Sequence, residues 1–436
     1  MTSLTLPHTG SYYAATANPV PLWPALAENL TVDVAIIGGG FTGVAAAVEL
    51  AERGRSVALV EANRIGWGAS GRNGGQITGS LSGDTAMERQ FTRILGDGAK
   101  DFVWALRWRG HDIIRNRVGK YGIACDLKHG QVEAAWQESH VAGLEATHAR
   151  AVAHGMGDEV ELVRGAALRE YVGTDIYPAG LVNRRNMHVH SLNLCQGEAM
   201  AAESLGARIF TGTKVDRITY GPRPVLQCAG GRITADKVLI AGNFLHDFGR
   251  SRLAGRLFPA SLGIVATEPL SEAVAQQILP RDYALYDTRF VLDYYRLTAD
   301  HRLIFGSGTN YSGRDSQDLD ERMRPVIERT FPQLRGVSID YAWSGQDGIS
   351  INRIPQLGSL DSNVFYAQGY SGHGIATSHI MAEIIAGAIC GENRDFDAFS
   401  KVRHWRFPVG RALGGLGISL GMALFKLRDS KLSGAK

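Results

Sequence analysis

The chain has 436 residues, of which 44% are hydrophobic and 20% charged, with a formal net charge of +3. This is the composition of a soluble globular protein with room for two domains, and it argues against a disordered chain. So small a charge, with no basic stripe interleaved with aromatics, excludes nucleic acid as an expected partner. From the N-terminus, residues 1–30 carry Tyr12, Tyr13, Trp23 and several prolines and read as an arm laid across the body. They show neither a basic n-region nor an apolar core, so no secretory signal is expected. No run reaches about 18 apolar residues, so no transmembrane segment is expected. Cys125, Cys195, Cys228 and Cys390 are far apart and lack metal-ligand spacing. Reduced thiols, a cytoplasmic location and no metal site follow as expectations.

Residues Val34–Ile37 form a β-branched run suited to a buried parallel strand. Gly38, Gly40 and Gly43 follow with G-x-G-x-x-G spacing, enclosing Phe41 and Thr42, and Val44–Arg53 carries a helical pattern ended by Gly54. In such a unit the first glycine permits the tight turn, the second admits a pyrophosphate, and the third lets helix and strand pack closely. The helix start aims open N–H groups at the phosphates. Ser56–Val60 is the next strand, and Glu61, about twenty residues past the turn, is placed to accept the ribose hydroxyls of an adenosine, with Ala62 beside it.

The next region, Gly66–Gly79, is dense in glycine. Its small residues, with Gly68, Ala69, Gly74 and Gly75 among them, let backbone approach a large flat group, and Ser70, Arg72, Asn73 and Gln76 add donors. Thr92–Val118 reads as one helix, Gln131–Ala135 as a strand, Glu138–His154 and Leu192–Leu205 as helices, and Ala207–Phe210, Lys214–Tyr220 and Lys237–Ala241 as strands. Leu262–Thr267, Phe290–Leu297, Leu303–Ser307 and Val337–Trp343 suggest an antiparallel sheet. Val364–Gln368 is then a strand, leading through Gly369–Gly374 into an apolar helix, Ile375–Ile389. A glycine-flanked turn opening a helix offers N–H groups and the positive end of a dipole. His373 in this turn is a candidate base or substrate contact, with a histidine satisfied by the backbone as the alternative. Ala412–Phe425, apolar and glycine-rich, is too short to span a bilayer and reads as a packing segment, with a peripheral membrane contact as the alternative.

The fold class that results is α/β with α+β: a discontinuous Rossmann-like dinucleotide-binding domain and an inserted antiparallel-sheet substrate domain. The expected boundaries assign 31–95, 188–258 and 346–400 to the first, 96–187 and 259–345 to the second, and 401–436 to a C-terminal segment.

Three blocks, Ser11–Ala15 (Ser-Tyr-Tyr-Ala-Ala), Leu292–Asp300 (Leu-Asp-Tyr-Tyr-Arg-Leu-Thr-Ala-Asp) and Gln368–Gly374 (Gln-Gly-Tyr-Ser-Gly-His-Gly), join Ile65–Gln76, Val189–Leu194 and Phe331–Gly336 in a pattern running nearly end to end. The chain resembles the D-amino-acid-oxidase, glycine-oxidase and sarcosine-oxidase class of FAD-dependent amine oxidoreductases. Within that class it most resembles the gamma-glutamylputrescine oxidoreductases of bacterial putrescine catabolism. The resemblance implies that Gly38, Gly40, Gly43 and Glu61 hold the ADP half of FAD, and that Ser70–Gln76 reach the pyrophosphate and isoalloxazine. It further implies that Val215 contacts adenine, that Gly242 lies beside the cofactor, and that Gly369, Tyr370, Gly372, His373 and Gly374 line the pyrimidine edge. In the sarcosine-oxidase branch a cysteine follows the corresponding Trp-Gly segment and binds the flavin covalently. Trp343–Gly348 has no cysteine, so non-covalent FAD is expected.

In the amino-acid oxidases that segment resembles Trp-x-Gly-x-Arg-Pro, with the Arg clamping the substrate carboxylate. Asp347 stands there in this chain. An acid repels a carboxylate and attracts an ammonium, which favours an amine over a small free amino acid. Trp343, Asp347 and His373 are the expected catalytic group, and Tyr295, Arg296, Tyr311 and Tyr370 the expected substrate contacts. Tyr294 is a further candidate pocket wall, and Arg353 an alternative to Arg296 for a distant carboxylate. The expected reaction is oxidation of a C–N bond of gamma-glutamylputrescine or a related amine, giving aldehyde, ammonia and, with oxygen as acceptor, hydrogen peroxide. The alternatives are a flavin dehydrogenase feeding a quinone, a non-catalytic FAD-binding protein and, from the glycine triplet alone, an NAD-dependent enzyme.

Overall fold

The computed structural model of the chain describes residues 6–289, 291–310 and 318–406. Tyr311, Phe290 and the Ala412–Phe425 segment lie outside the described residues. Two sheets organise the rest. The first has the strand order 356–361, 364–368, 231–240, 30–37, 57–60, 208–210, with 225–228 and 215–219 attached at one side. Its centre is parallel: Ile36 pairs with both Leu59 and Leu239, and Ile240 with Tyr366. These strands are buried on both faces, which is why Val34–Ile37 and Val57–Val60 read as continuous apolar runs rather than alternating ones. The three sequence pieces expected to build the cofactor unit therefore meet in one sheet. Full burial of side chains such as Ile36, Leu59 and Leu239 contributes roughly 1.5–3 kcal/mol each.

Helices Phe41–Glu52, Ser191–Ser204 and Gly374–Ile389 cover this sheet. They are joined inside by a buried polar cluster. Arg117 and His379 both pair with the fully buried Glu198 at 2.9 Å, and Arg117 reaches Glu49 at 2.5 Å. The buried Glu198 and Arg117 thus each have a counter-charge, the condition for tolerating them in a low dielectric.

The second sheet has the order 339–349, 258–267, 303–310, 293–297, 284–287, 128–134, 179–188, 76–77, with 160–164 pairing at 179–188. It is antiparallel except where Ala284–Asp287 runs parallel to Lys128–Ala134. One face carries Val132, Leu285, Tyr295, Phe305 and Val265 in an apolar core closed by helix Leu319–Thr330.

Several expectations are corrected. The helix expected over 92–118 is two helices, Asp84–Leu95 and Ala99–Tyr121, because Gly96 adopts φ 68 and stops the first. The strand expected from Phe290 begins at Asp293. The expected domain boundaries are crossed in three places. Ala99–Tyr121, assigned to the substrate domain, buries Val103, Leu106 and Ile114 in the cofactor-unit core. Gln76–Ile77, assigned to the cofactor unit, pairs with Met187 and His188 in the second sheet. Ile339–Ile349 runs through the boundary at 346 as one strand.

Among the described residues no single helix is long and apolar enough to cross a membrane. A bent pair, Gly374–Ile389 with Arg394–Ser400, passes on length and composition. Its first helix is buried within the cofactor unit.

Candidate active site

The turn after the first strand is built by close approach. Gly38 has φ 112, and a Cβ there would stand 2.9 Å from the carbonyl carbon and oxygen of Ala241. At Gly43 a Cβ would lie 1.9 Å from the Gly38 carbonyl oxygen, so only glycine lets this helix rise so close to its strand. Gly40 caps helix Phe41–Glu52, and a Cβ there would meet Ser70 Oγ at 2.9 Å. The Phe41 amide donates to that same Ser70 Oγ at 3.0 Å. The Thr42 and Gly43 amides, in the first helical turn, have no intrahelical acceptor and remain open to an anion.

Glu61 ends the second strand. Its two carboxylate oxygens accept from the Gly39 amide at 2.7 Å and the Asn63 amide at 2.8 Å. Each oxygen keeps a lone pair for a ribose hydroxyl. Burial pushes the Glu61 carboxyl up, while the Gly39, Asn63 and Ala62 amides oppose the shift. The Thr213 amide donates to the Glu61 carbonyl at 2.8 Å, which brings the buried Val215 to this end of the sheet. A glycine cradle, open helix-start amides and a ribose-directed acid fit the ADP half of FAD.

The loop after it differs from the sequence reading. Gly68 caps the short helical turn Ala69–Gly71. Asn73 donates to the Ala69 and Ser70 carbonyls and accepts from the Gly75 amide and Ser191 hydroxyl. Gln76 donates to the Leu285 and Tyr295 carbonyls and accepts from Gln131 at 2.7 Å. The Arg72 guanidinium lies 4.7 Å over the Trp67 ring, and its Nε donates to the Trp67 carbonyl. Arg72, Asn73 and Gln76 therefore shape the loop. Gly74 and Gly75 answer to packing: a Cβ would strike the Tyr294 ring at 2.5 Å from Gly74 and the Val189 carbonyl at 2.3 Å from Gly75.

The third segment closes the same side of the sheet. Gly369 and Gly372 have φ 79 and 94, and Ser371 between them has φ 52, a left-handed conformation uncommon outside glycine. Asp347 accepts from the Gly348 amide and from the Gly372 amide, and Asn243 also hydrogen-bonds it. Burial raises the Asp347 carboxyl to about 6 against these hydrogen bonds. Asp347 thus braces this turn. The Asn243 side chain also accepts from the Gly369 amide at 3.0 Å, and Gly242 precedes it. Asn243, with φ 50, is a site residue that sequence reading missed; its place directly after Gly242 was the available signal. His373 precedes Gly374, the first residue of the long helix, and its Nδ1 is 3.0 Å from Thr78 Oγ1. Burial pushes the imidazole down, so it is neutral at neutral pH.

Four expected roles are corrected. Arg296 is 2% exposed, and its guanidinium donates to the Gly74, Leu297 and Val189 carbonyls and the Tyr13 hydroxyl at 2.7–3.1 Å. Four of its five N–H donors are committed to protein and the side chain is buried, so it does not hold a substrate carboxylate. Tyr295 is fully buried against Phe305 and Phe331 on the far face of the sheet. The Tyr370 hydroxyl bonds Thr42 Oγ1, which joins the turn to the pyrophosphate helix instead of facing substrate. Trp343 is 2% exposed; its Nε1 donates to the Arg72 carbonyl at 3.0 Å and its ring meets Tyr13 edge-on. These residues build the wall behind the site.

Residues 33–388 match the family described as DAO, FAD dependent oxidoreductase. The chain is 40% identical over 424 residues to the gamma-glutamylputrescine oxidoreductase of Escherichia coli (strain K12), covering 97% of this chain and 98% of that one. It is 33% identical to the probable oxidoreductase OrdL of Haemophilus influenzae, over 97% of each chain. Among solved structures, glycine oxidase from Geobacillus kaustophilus superposes with a TM-score of 0.72 at 21% identity, covering 86% of this chain and all of that one.

Proposed function

Because the chain belongs to the DAO family of FAD-dependent oxidoreductases, we propose from that premise that it oxidises the C–N bond of a primary amine, gamma-glutamylputrescine or a close analogue. The products are an aldehyde, ammonia and, with oxygen as acceptor, hydrogen peroxide. Bound FAD supplies the two-electron acceptor for the hydrogen that leaves the carbon beside nitrogen. The polypeptide's share is binding and orientation. Gly38–Gly43, Glu61 and Ser70 hold the ADP half, the backbone of 72–76 and 369–374 frames the ring, and no cysteine stands in Trp343–Gly348 to bind it covalently.

One observation carries the amine reading. By the resemblance, Asp347 stands where the amino-acid oxidases carry the Arg that clamps a carboxylate, and it accepts from the Gly348 and Gly372 amides. No cationic clamp stands at that place for a carboxylate adjoining the reacting carbon. The glutamyl carboxylate of the proposed substrate lies at its far end, and Arg353, near Asp347 and His373 in the electrostatics of the site, is our candidate for it. Steady-state assays of peroxide and ammonia over free and gamma-glutamylated amines and free amino acids test this. Turnover confined to free amino acids sinks the reading. Turnover of amines only with an artificial acceptor replaces oxygen with a quinone-type acceptor.

A further inference from the structure

One row of cross-strand partners crosses the second sheet: Trp343, Ile264, Gly306, Tyr294, Tyr286 and Glu133, each directly paired with the next. Directly paired residues share a face, and the alternate row, Val265 to Val132, lies in the apolar core on the other side. The row therefore faces the cofactor unit. At one end Trp343 donates to the Arg72 carbonyl, and at its middle Tyr294 fills the space left by Gly74 and Gly306. Gln131, two residues before Glu133 and on the same face, is joined to Gln76 and to Asn186, which accepts from the Gly79 amide. Between Gln76 and Gly79 stands Thr78, the partner of His373. Glu133 and Tyr286 thus sit on the wall opposite the turn that frames the ring, and both remain half-buried.

Their chemistry suits a cation. The Tyr286 hydroxyl hydrogen-bonds the Glu133 carboxylate. The cation whose charge acts on Glu133, Arg107 of helix Ala99–Tyr121, is ion-paired with Asp84. Among the described residues no Lys, Arg or His forms an ion pair with Glu133. A half-buried carboxylate without a counter-ion is costly, and an ammonium ligand would remove that cost.

We propose that Glu133, held by Tyr286, receives the substrate's terminal ammonium and takes one proton from it. The inference rests on the amine reading above. One N–H bond of the ammonium breaks and an O–H bond forms on Glu133, leaving a neutral amine whose lone pair can assist loss of hydrogen from the adjacent carbon. The proton returns to water when product leaves. Burial raises the Glu133 carboxyl, while Tyr286 and Arg107 oppose the rise, so Glu133 is poised to exchange a proton. Amine affinity is present while Glu133 is ionised and is lost as pH falls through its raised pKa.

The test compares wild-type holoenzyme with Glu133→Gln and Tyr286→Phe by anaerobic flavin reduction against amine concentration and pH. Flavin content and reduction by dithionite check that each variant holds FAD. Glu133→Gln is expected to raise the half-saturating amine concentration roughly 10- to 100-fold and to abolish the acid limb of the pH profile. Tyr286→Phe removes a hydrogen bond that favours the carboxylate, so the acid limb should move to higher pH. If wild type is reduced by a primary amine and both variants keep its half-saturation and pH profile, the inference is overturned while the amine reading stands. If wild type is reduced by no primary amine, both fall. If Glu133→Gln fails to retain FAD, an unmoved limb in Tyr286→Phe still overturns it.

Discussion

Individual residues here divide into those that make room and those that tie segments together. Gly40 makes room. A valine there would set its Cβ 2.9 Å from Ser70 Oγ and occupy the pyrophosphate approach. Gly40→Val is therefore expected to purify without flavin while keeping its far-ultraviolet circular dichroism; a normal flavin content would refute the assignment of this turn. Arg296 ties. It joins the N-terminal arm through Tyr13 to the cofactor loop through Gly74 and to the sheet through Leu297. Arg296→Met should cost roughly 3 kcal/mol of stability, because buried carbonyls lose their donors. A fall in melting temperature with unchanged half-saturation in the remaining holoenzyme is the expected pattern. A selective loss of substrate affinity would restore Arg296 to the substrate site. Arg296 and Asp347 show where sequence reading runs out at this scale. Residue type and neighbourhood pointed to ligand binding, but Arg296 donates to Tyr13, Gly74 and Val189, and Asp347 accepts from the Gly372 amide, all far from them in the chain.

Among elements, long apolar patterns were the legible ones. The first strand, the Phe41–Glu52 helix and the Gly374–Ile389 helix stand near where their periodicity put them. Helix Leu319–Thr330 was not read: Pro325 inside it argues against a helix, although Leu319, Met323, Ile327 and Thr330 turn inward at helical spacing. The Val225–Cys228 and Ala284–Asp287 strands are four residues each, too short to show a period. The helices over the cofactor sheet are locked by Glu198, Arg117, His379 and Glu49, and Phe41, at the start of the pyrophosphate helix, contacts the His379 ring at 5.5 Å. Arg117 and His379 hold the Glu198 carboxyl below its ordinary value against the effect of burial. A depressed folded-state pKa adds stability that is complete above the unfolded carboxylate range, near pH 4.5, and is lost as pH falls through the folded value. Glu198→Gln should therefore lower stability at neutral pH by about 3–5 kcal/mol and flatten the acid side of the stability profile. Thermal melts between neutral and acid pH check both, and an unaltered acid slope would contradict the assignment.

The whole molecule sets two sheets against each other, with the cofactor cradle on the first and a row of polar and aromatic side chains on the second. The first half of that design was readable because a dinucleotide turn is local: glycine spacing, a strand, a helix and a terminal acid fall within one short stretch. The second half was not, because its row draws one residue from each of several strands, and Glu133 became visible only once Tyr286 was paired beside it. The same assembly explains why elements cross the expected domain boundaries. Strand Gln76–Ile77 and helix Ala99–Tyr121 each serve the sheet from which their sequence neighbourhood had excluded them. We propose that these two faces enclose one FAD and one amine. The most direct test is an anaerobic titration of the purified holoenzyme with gamma-glutamylputrescine, followed in the visible flavin spectrum. The oxidised flavin band should be lost with an endpoint at one equivalent of amine per FAD. A band that persists under excess amine, yet disappears with dithionite, would contradict the account.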